Sequence, residues 1–257
     1  MKQALLLAAG LGTRLKPLTN TTPKALVRVG GFALLEHNIR RLHDAGFERI
    51  VVNIHHFGEQ IIDFLAEHDN FGLDIRVSDE RQQLLDTGGA LKKARTLLDG
   101  ESPVLIHNVD IFSDIDLAEL ASAAEEKQGA MLAISRRTSA SGRYLLFDDS
   151  LRLVGWTNTS TGEVRSPYPN ALELATLKAP FAGIHVVHPG LLPLMDEWPD
   201  RFSIIDFYLQ TCYEAPIFGF LSDFDLLDVG KLDSLTQAEQ FLQEHDIYST
   251  THTSDIK

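Results

Sequence analysis

Short continuous apolar runs alternate along this chain with stretches in which apolar residues recur every three or four positions. The runs Ala4 to Ala8, Ile50 to Ile54, Leu73 to Val77, Pro103 to His107 and Ala130 to Ser135 read as strands. The first is apolar at every position, the mark of a parallel strand buried on both faces. Phe32 to Ala45 repeats apolar residues at helical spacing (Leu34, Leu35, Ile39, Leu42) and stops at Gly46, a normal helix terminator. The same pattern predicts helices over Glu59 to Glu67 and Leu91 to Leu98, and a helix start at Asp116 and Leu117. Beyond Arg136 come shorter β-like pieces, Arg143 to Phe147 and Leu151 to Trp156, then an irregular loop from Thr157 to Pro180 rich in Thr, Ser, Pro and Gly. A strand is expected at Phe181 to Val187, and helices at Gly190 to Asp196 and Ile204 to Glu214. Strands at Ile217 to Leu221 and Asp225 to Leu227 follow, and a helix ending at Glu244 closes a single domain over 1–247. The polar tail, 248–257, is expected to be disordered.

Composition narrows the function. A chain of 257 residues suits one large domain with a full core, and 44% hydrophobic content is ordinary for a globular protein. A net charge of −13 argues against a nucleic-acid surface, which needs a basic footprint. No apolar stretch approaches the length of a membrane span, and the short N-terminal apolar run lacks a cleavage site, so neither a membrane partner nor a leader is expected. The single cysteine, Cys212, cannot pair internally and sits in an apolar helical pattern, where it reads as core. The expected location is cytoplasmic, and self-association is left open.

The densest chemistry lies between Leu5 and Leu26, LLLAAGLGTRLKPLTNTTPKAL. After the first strand, Ala8, Ala9, Gly10, Leu11, Gly12 and Thr13 form a junction of mostly small residues. Glycine there permits positive φ and lets phosphate approach the main chain, whose successive N–H groups form an anion-binding concavity. Arg14 adds a planar charged fork and Lys24, after Pro23, a point charge. Together they suit a polyphosphate. Two familiar phosphate loops are excluded: the dinucleotide fingerprint needs a glycine at position 15, which is leucine, and the Walker loop needs Gly-Lys-Ser/Thr at its end.

The remaining pattern, GxGTRLxPLT followed by PKAL, resembles the signature of the sugar-1-phosphate nucleotidyltransferases, and the resemblance extends from residue 1 to about 245. It points to the short forms, the muramate-1-phosphate uridylyltransferases and the mannose- or heptose-1-phosphate guanylyltransferases. The fold this implies is a Rossmann-like mixed, mostly parallel sheet flanked by helices, the nucleotide-diphospho-sugar transferase fold. Its nucleotide half would run to about residue 135 and its sugar-binding half from about 136 to 247.

The resemblance also implies roles. Arg14 and Lys24 would be catalytic, and the loop from Ala8 to Thr13 would bind the nucleotide together with Thr87, Gly88 and Asn108. Either Glu80 or Gln82 would read the base edge. Asp110 and Asp228, the latter in a partial match to the family's second metal motif, would hold Mg²⁺. Gly183 in the F-x-G-I strand would let the sugar approach, near Arg143, Trp156 and Asn158. The usual Glu-Lys-Pro is replaced by Thr157-Asn158, leaving Arg143 or Arg165 to hold the sugar phosphate. His55 and His56 lack a third ligand and read as hydrogen-bonding groups; Asp114 and Asp116 read as helix caps.

The implied reaction joins a nucleoside triphosphate to a sugar-1-phosphate and releases pyrophosphate. UTP with an N-acetylmuramate-like sugar is the first expectation, and GTP with mannose- or heptose-1-phosphate the second. A nucleotide-sugar-dependent glycosyltransferase and an inactive sensor of the same fold are the readings from other classes. The first would show a paired-carboxylate motif, and the second would lack Arg14, Lys24 or Asp110.

Overall fold

The first strand, β1 (Gln3–Leu7), is the axis of the molecule. In this computed structural model, which describes residues 1–136 and 141–245, β1 lies between two parallel neighbours. Its side chains alternate between two cores: Ala4 and Leu6 join one cluster, Leu5 the other. Burial on both faces is why the run is apolar without alternation.

In chain order β1 is followed by the hairpin β2 (Arg28–Val29) and β3 (Phe32–Ala33), then α1 (Leu34–Asp44), β4 (Arg49–Ile54), α2 (Gly58–Glu67), β5 (Asp74–Asp79) and α3 (Asp86–Ala94). Next come β6 (Val104–Asn108), β7 (Ile111–Ser113), α4 (Leu117–Lys127) and β8 (Ala130–Ile134). The second half contains β9 (Arg143–Phe147), β10 (Leu153–Asn158), β11 (Glu163–Arg165), α5 (Ala171–Leu174), β12 (Leu177–Ala179) and β13 (Phe181–Val187). It ends with α6 (Ile204–Thr211), β14 (Ile217–Leu221), β15 (Leu226–Asp228) and α7 (Asp233–Glu244).

Seven strands form the central sheet in the order β14-β8-β13-β6-β1-β4-β5. β13 is antiparallel to both β6 and β8, and the other pairings are parallel. The expected mixed, mostly parallel sheet with flanking helices is therefore present. A smaller antiparallel sheet, β11-β10-β9-β12, stands beside it, and β7 and β15 form a two-stranded ladder. No helix among the described residues is long and apolar enough to cross a membrane.

Several local expectations are corrected. The region 157–180 is not one irregular loop: Trp156 to Asn158 pair with Glu163 to Arg165, and Leu177 to Ala179 pair with β9. Its polar composition reflects short strands, of which β11 is exposed throughout, rather than missing structure. α3 starts at Asp86 instead of Leu91, because the glycines form its first turn. The segment Pro189–Met195 is 3-10 helical, with Pro193 inside it, since proline denies the α-helical ladder a donor. α6 stops at Thr211, short of Glu214. The tail 248–257 lies outside the described residues.

Candidate active site

The turn after β1 is held from below by a residue of β4. Ala8 and Ala9 donate their N–H groups to Asn53 Oδ1, at 2.6 and 3.2 Å. Those two donors are consumed, so Ala8 and Ala9 offer no backbone donor to a phosphate. No hydrogen bond among the described residues uses the N–H of Gly10, Leu11 or Gly12. Gly12 has φ of 62°, and a Cβ there would lie 2.8 Å from Thr19 Cγ2 and 3.0 Å from Lys24 Cβ. The Thr19 hydroxyl donates to Gly12 O at 2.8 Å, drawing the 17–24 segment over the loop. Thr13 and Arg14 then open a short 3-10 turn anchored by the fully buried Leu15.

Lys24 reaches the end of β6. Its ammonium donates to Asp110 Oδ2, and both side chains are largely enclosed. Asp228 arrives from the far end of the sequence because β15 pairs antiparallel with β7, placing Asp228 opposite Ile111. Val229 N–H donates to Asp110 O at 2.8 Å and locks that register. Arg14 completes the group, 3.8 Å from Asp228 Oδ2.

Gly230 stands at the centre. A Cβ there would be 2.6 Å from Asp228 Oδ1, 2.8 Å from Arg14 Nη2 and 3.1 Å from Asp110 Oδ2. Two carboxylates and an arginine therefore converge on a space kept open by a missing side chain. Oxygens of Asp228 and Asp110 both border this space, and carboxylate oxygens with room for phosphate and water are the donor chemistry that a hard divalent cation takes. Beside them Gly183 packs against Asn108, whose Nδ2 lies 2.6 Å from where a Cβ would stand.

On the opposite side, the expected base loop is more enclosed than its sequence suggests. Glu80 is 1% exposed, and both its oxygens are engaged: Oε1 accepts from Asn53 Nδ2 at 2.8 Å and Oε2 from Leu85 N–H at 3.0 Å. Burial raises its pKa, partly countered by these bonds. Both Glu80 oxygens are thus engaged within the protein, whereas Gln82 is exposed. Gly88 and Gly89 donate their N–H groups to Phe202 O, and Thr87 Oγ1 accepts from Ile204 N–H. A Cβ on Gly88 would meet the Phe202 ring at 2.3 Å, and one on Gly89 would meet Asp200 O at 2.1 Å. The glycines of this turn serve close packing against residues 200–204.

A cavity of about 590 Å³ opens between the small sheet and α6, lined by Arg143, Trp156, Asn158, Arg165 and Asp206 among others. Three of the four expected sugar residues share it; Gly183 does not line it. Arg165 lies over the Trp156 ring at 5.6 Å and pairs with Asp206. The Arg143 side chain has no hydrogen bond or ion pair among the described residues, which makes it the readier cation of the two.

The remaining candidates are structural. His55 Nδ1 donates to Glu80 O at 2.7 Å. Asp116 caps α4 by accepting from Ala118 and Glu119 N–H. Asp114 is not a helix cap: it accepts from Asp225 N–H and, with Asp225, flanks the His245 ring. That cluster sits at the other end of the β7–β15 ladder from Asp110 and Asp228; each ring nitrogen faces a different carboxylate, and the three residues can each present one ligand atom within 4.8 Å of the others. Cys212 is fully buried, and burial lifts its thiol to about 11, consistent with core.

Asn53 and Gly230 carry the site's geometry; Asn53 was not singled out from sequence, and Gly230 entered only as part of the partial Asp-Val-Gly match. The available signals were a polar residue near the end of an apolar strand and a glycine two positions after an acidic strand end.

Comparison with known proteins gives a consistent picture. A family model described as Nucleotidyl transferase matches residues 3–144. An N-acetylmuramate alpha-1-phosphate uridylyltransferase from Caulobacter vibrioides is 34% identical over 251 residues, covering 95% of this chain and 98% of that protein. A mannose-1-phosphate guanyltransferase from Kluyveromyces lactis is 33% identical over 227 residues, 86% of this chain, which spans 60% of that protein's length. Among solved structures, UDP-glucose pyrophosphorylase complexed with UDP-glucose aligns with a TM-score of 0.75 at 18% identity, over 95% of this chain and 99% of that one. HddC from Yersinia pseudotuberculosis complexed with GMP-PN aligns with a TM-score of 0.73 at 20% identity, over 94% of this chain and 100% of that one. At such identities the structural likeness establishes the fold alone.

Proposed function

The chain belongs to the nucleotidyl transferase family and is a sugar-1-phosphate nucleotidyltransferase, and on that premise we propose that it joins UTP to an N-acetylmuramate-like sugar-1-phosphate, with release of pyrophosphate. The observation that carries the choice of substrates is the correspondence to the Caulobacter uridylyltransferase across 98% of its length. A GTP and mannose-1-phosphate reading is favoured by the Kluyveromyces relative, of which the chain spans 60%.

The chemistry needs little from a general base. A phosphate monoester has a second pKa near 6, so the sugar phosphate is largely dianionic at neutral pH and attacks the α-phosphorus directly. The barrier comes from repulsion between anions and from charge gathering on the pyrophosphate, so positioning and preorganised charge should carry the rate. The N–H groups of Gly10, Leu11 and Gly12, unbonded among the described residues, would donate to phosphate oxygens. Arg14 would hold the leaving β- and γ-phosphates, and Lys24 would stand between the α-phosphate and its attacker. Asp110 and Asp228 would hold Mg²⁺, which when bound supplies charge neutralisation at the phosphates. Lys24 then has to exchange Asp110 for phosphate, a replacement of one anion by another at the same ammonium. Gln82 would face the uracil edge, and Arg143, Trp156 and Asn158 the sugar.

The test is a panel of the four ribonucleoside triphosphates and dTTP against sugar-1-phosphates, read by pyrophosphate release. The highest kcat/KM is expected for UTP with N-acetylmuramate-1-phosphate. A preference for GTP with mannose-1-phosphate would transfer the assignment to the second reading.

A further inference from the structure

Three segments distant in sequence meet in one buried chain of hydrogen bonds. Ala8 and Ala9 N–H donate to Asn53 Oδ1, Asn53 Nδ2 donates to Glu80 Oε1, and Leu85 N–H donates to Glu80 Oε2, at 2.6, 3.2, 2.8 and 3.0 Å. Asn53 is 3% exposed and Glu80 1%. We infer that Asn53 and Glu80 are positioning residues for the nucleoside triphosphate: they fix the phosphate loop after β1 and the loop before α3 as one rigid frame.

The polarity of this chain is fully determined. Two backbone donors at residues 8 and 9 make Asn53 Oδ1 the acceptor, so its Nδ2 must face Glu80. Glu80 Oε1 must therefore accept, and Leu85 N–H requires the other oxygen to accept as well. Only a side chain with acceptors at both ends fits position 80 while asparagine occupies 53. His55 Nδ1 donates to the Glu80 carbonyl and holds the same segment from the main chain.

The consequence lies at the next residues. With the first two N–H groups tied inward to Asn53, the N–H groups of Gly10, Leu11 and Gly12 are the next along the loop, and none of them is bonded among the described residues. The same frame sets the start of the loop that carries Gln82. Neither Asn53 nor Glu80 need touch substrate for this, and nothing in the chain reaches the cavity lined by Arg143 and Trp156. Loosening the frame should weaken the triphosphate and leave the sugar phosphate alone.

Donor–acceptor parity supplies a test that a merely structural role would not pass. Glu80→Gln places an amide N–H₂ against a donor, either Asn53 Nδ2 or Leu85 N–H. Asn53→Asp places a carboxylate oxygen against Glu80 Oε1. The reciprocal double variant, Asn53→Asp with Glu80→Gln, reverses the bond between the two side chains and satisfies every partner again. Each single variant is expected to raise the triphosphate KM about tenfold, the scale of one buried hydrogen bond, with the sugar-phosphate KM within about twofold of wild type. The double variant should return the triphosphate KM to within about twofold of wild type, a negligible coupling cost. Singles that alter melting temperature but neither KM, singles that raise both KM values together, or a double variant as impaired as either single would each overturn the assignment. Should a single variant not fold, the double variant decides: folded with wild-type KM supports the inference, and unfolded or still impaired overturns it. The inference rests on the nucleotidyltransferase reading. Wild-type turnover tests that reading separately, and calorimetric titration with UTP and GTP reads the frame's effect on affinity without turnover.

Discussion

Lys24 donates its ammonium to Asp110 across 86 positions of sequence, so the candidate cation and a candidate metal ligand neutralise one another before any substrate arrives. The pairing keeps a partly enclosed carboxylate from standing alone beside Asp228, which shares the open space around Gly230. Removing Lys24 therefore has two consequences that separate cleanly. Lys24→Ala should lower turnover by about 10² to 10³-fold, the scale of one preorganised charge. It should also lower the melting temperature modestly in the absence of divalent cation, with the loss reversed when Mg²⁺ is added. Turnover near wild type would remove Lys24 from the mechanism, and a melting temperature indifferent to Mg²⁺ would separate Asp110 from the metal.

Gly230→Ala probes the same space from the other side. The new methyl group would press on Asp228, Arg14 and Asp110, all through the movable ends of their side chains. The fold can yield there, so stability should change by less than about 1 kcal/mol. The site cannot yield without losing its convergence. Activity is expected to fall at least about 10²-fold, with a higher Mg²⁺ concentration needed for half-maximal rate. An active variant with an unchanged Mg²⁺ requirement would show that the convergence has no role in catalysis.

What could be read from sequence follows a physical division. The strand β1, its loop, Arg14, Lys24 and Asp110 were legible because each is declared by its own neighbours: an apolar run, a glycine pair, a charge at a strand end. Asp228 needed the partial Asp-Val-Gly match, and its place became clear only through the β7–β15 register. Glu80 could not be placed, since an acidic residue in a polar loop looks exposed until Asn53 and Leu85 are seen to enclose it. The turn at Gly88 and Gly89 was ambiguous for a related reason. A small-residue turn opening a helix serves a ligand and a tightly packed neighbour equally well, and here Phe202 and Asp200 fill the space.

Acid sensitivity should come from two histidines in adjoining strands of the central sheet. Burial lowers His107 and His185 from 6.5 to about 3, so both are neutral when folded. The unfolded chain binds more protons between those values, and stability present above pH 6.5 is lost as pH falls toward 3. Between pH 7 and pH 5 each should cost about 2 kcal/mol. Glu80, whose pKa is raised by burial, contributes with the opposite sign, losing stability as pH rises above its unfolded value. Comparing wild type with His185→Gln cancels that contribution: the variant should lose about 2 kcal/mol less between pH 7 and pH 5 in urea titrations. Parallel pH dependences would mean that His185 is protonated in the folded protein.

The cavity beside α6 makes the sugar testable independently of the base. N-acetylmuramate carries a lactyl carboxylate that N-acetylglucosamine lacks, and an arginine is the side chain best shaped to hold it. Arg165 is already engaged by Asp206 and the Trp156 ring, whereas Arg143 has no ion pair among the described residues and lines the same cavity. If Arg143 receives the carboxylate, Arg143→Gln should raise KM for N-acetylmuramate-1-phosphate about tenfold or more, as expected for a lost charged hydrogen bond. The same change should leave N-acetylglucosamine-1-phosphate nearly unaffected, because that substrate never used the interaction. If Arg143 instead takes the place of the missing phosphate-binding lysine, both substrates should weaken together, since both carry the anomeric phosphate. The ratio of the two KM values thus assigns the arginine to one end of the sugar or the other. A variant that uses both substrates as wild type does would exclude Arg143 from the sugar site altogether.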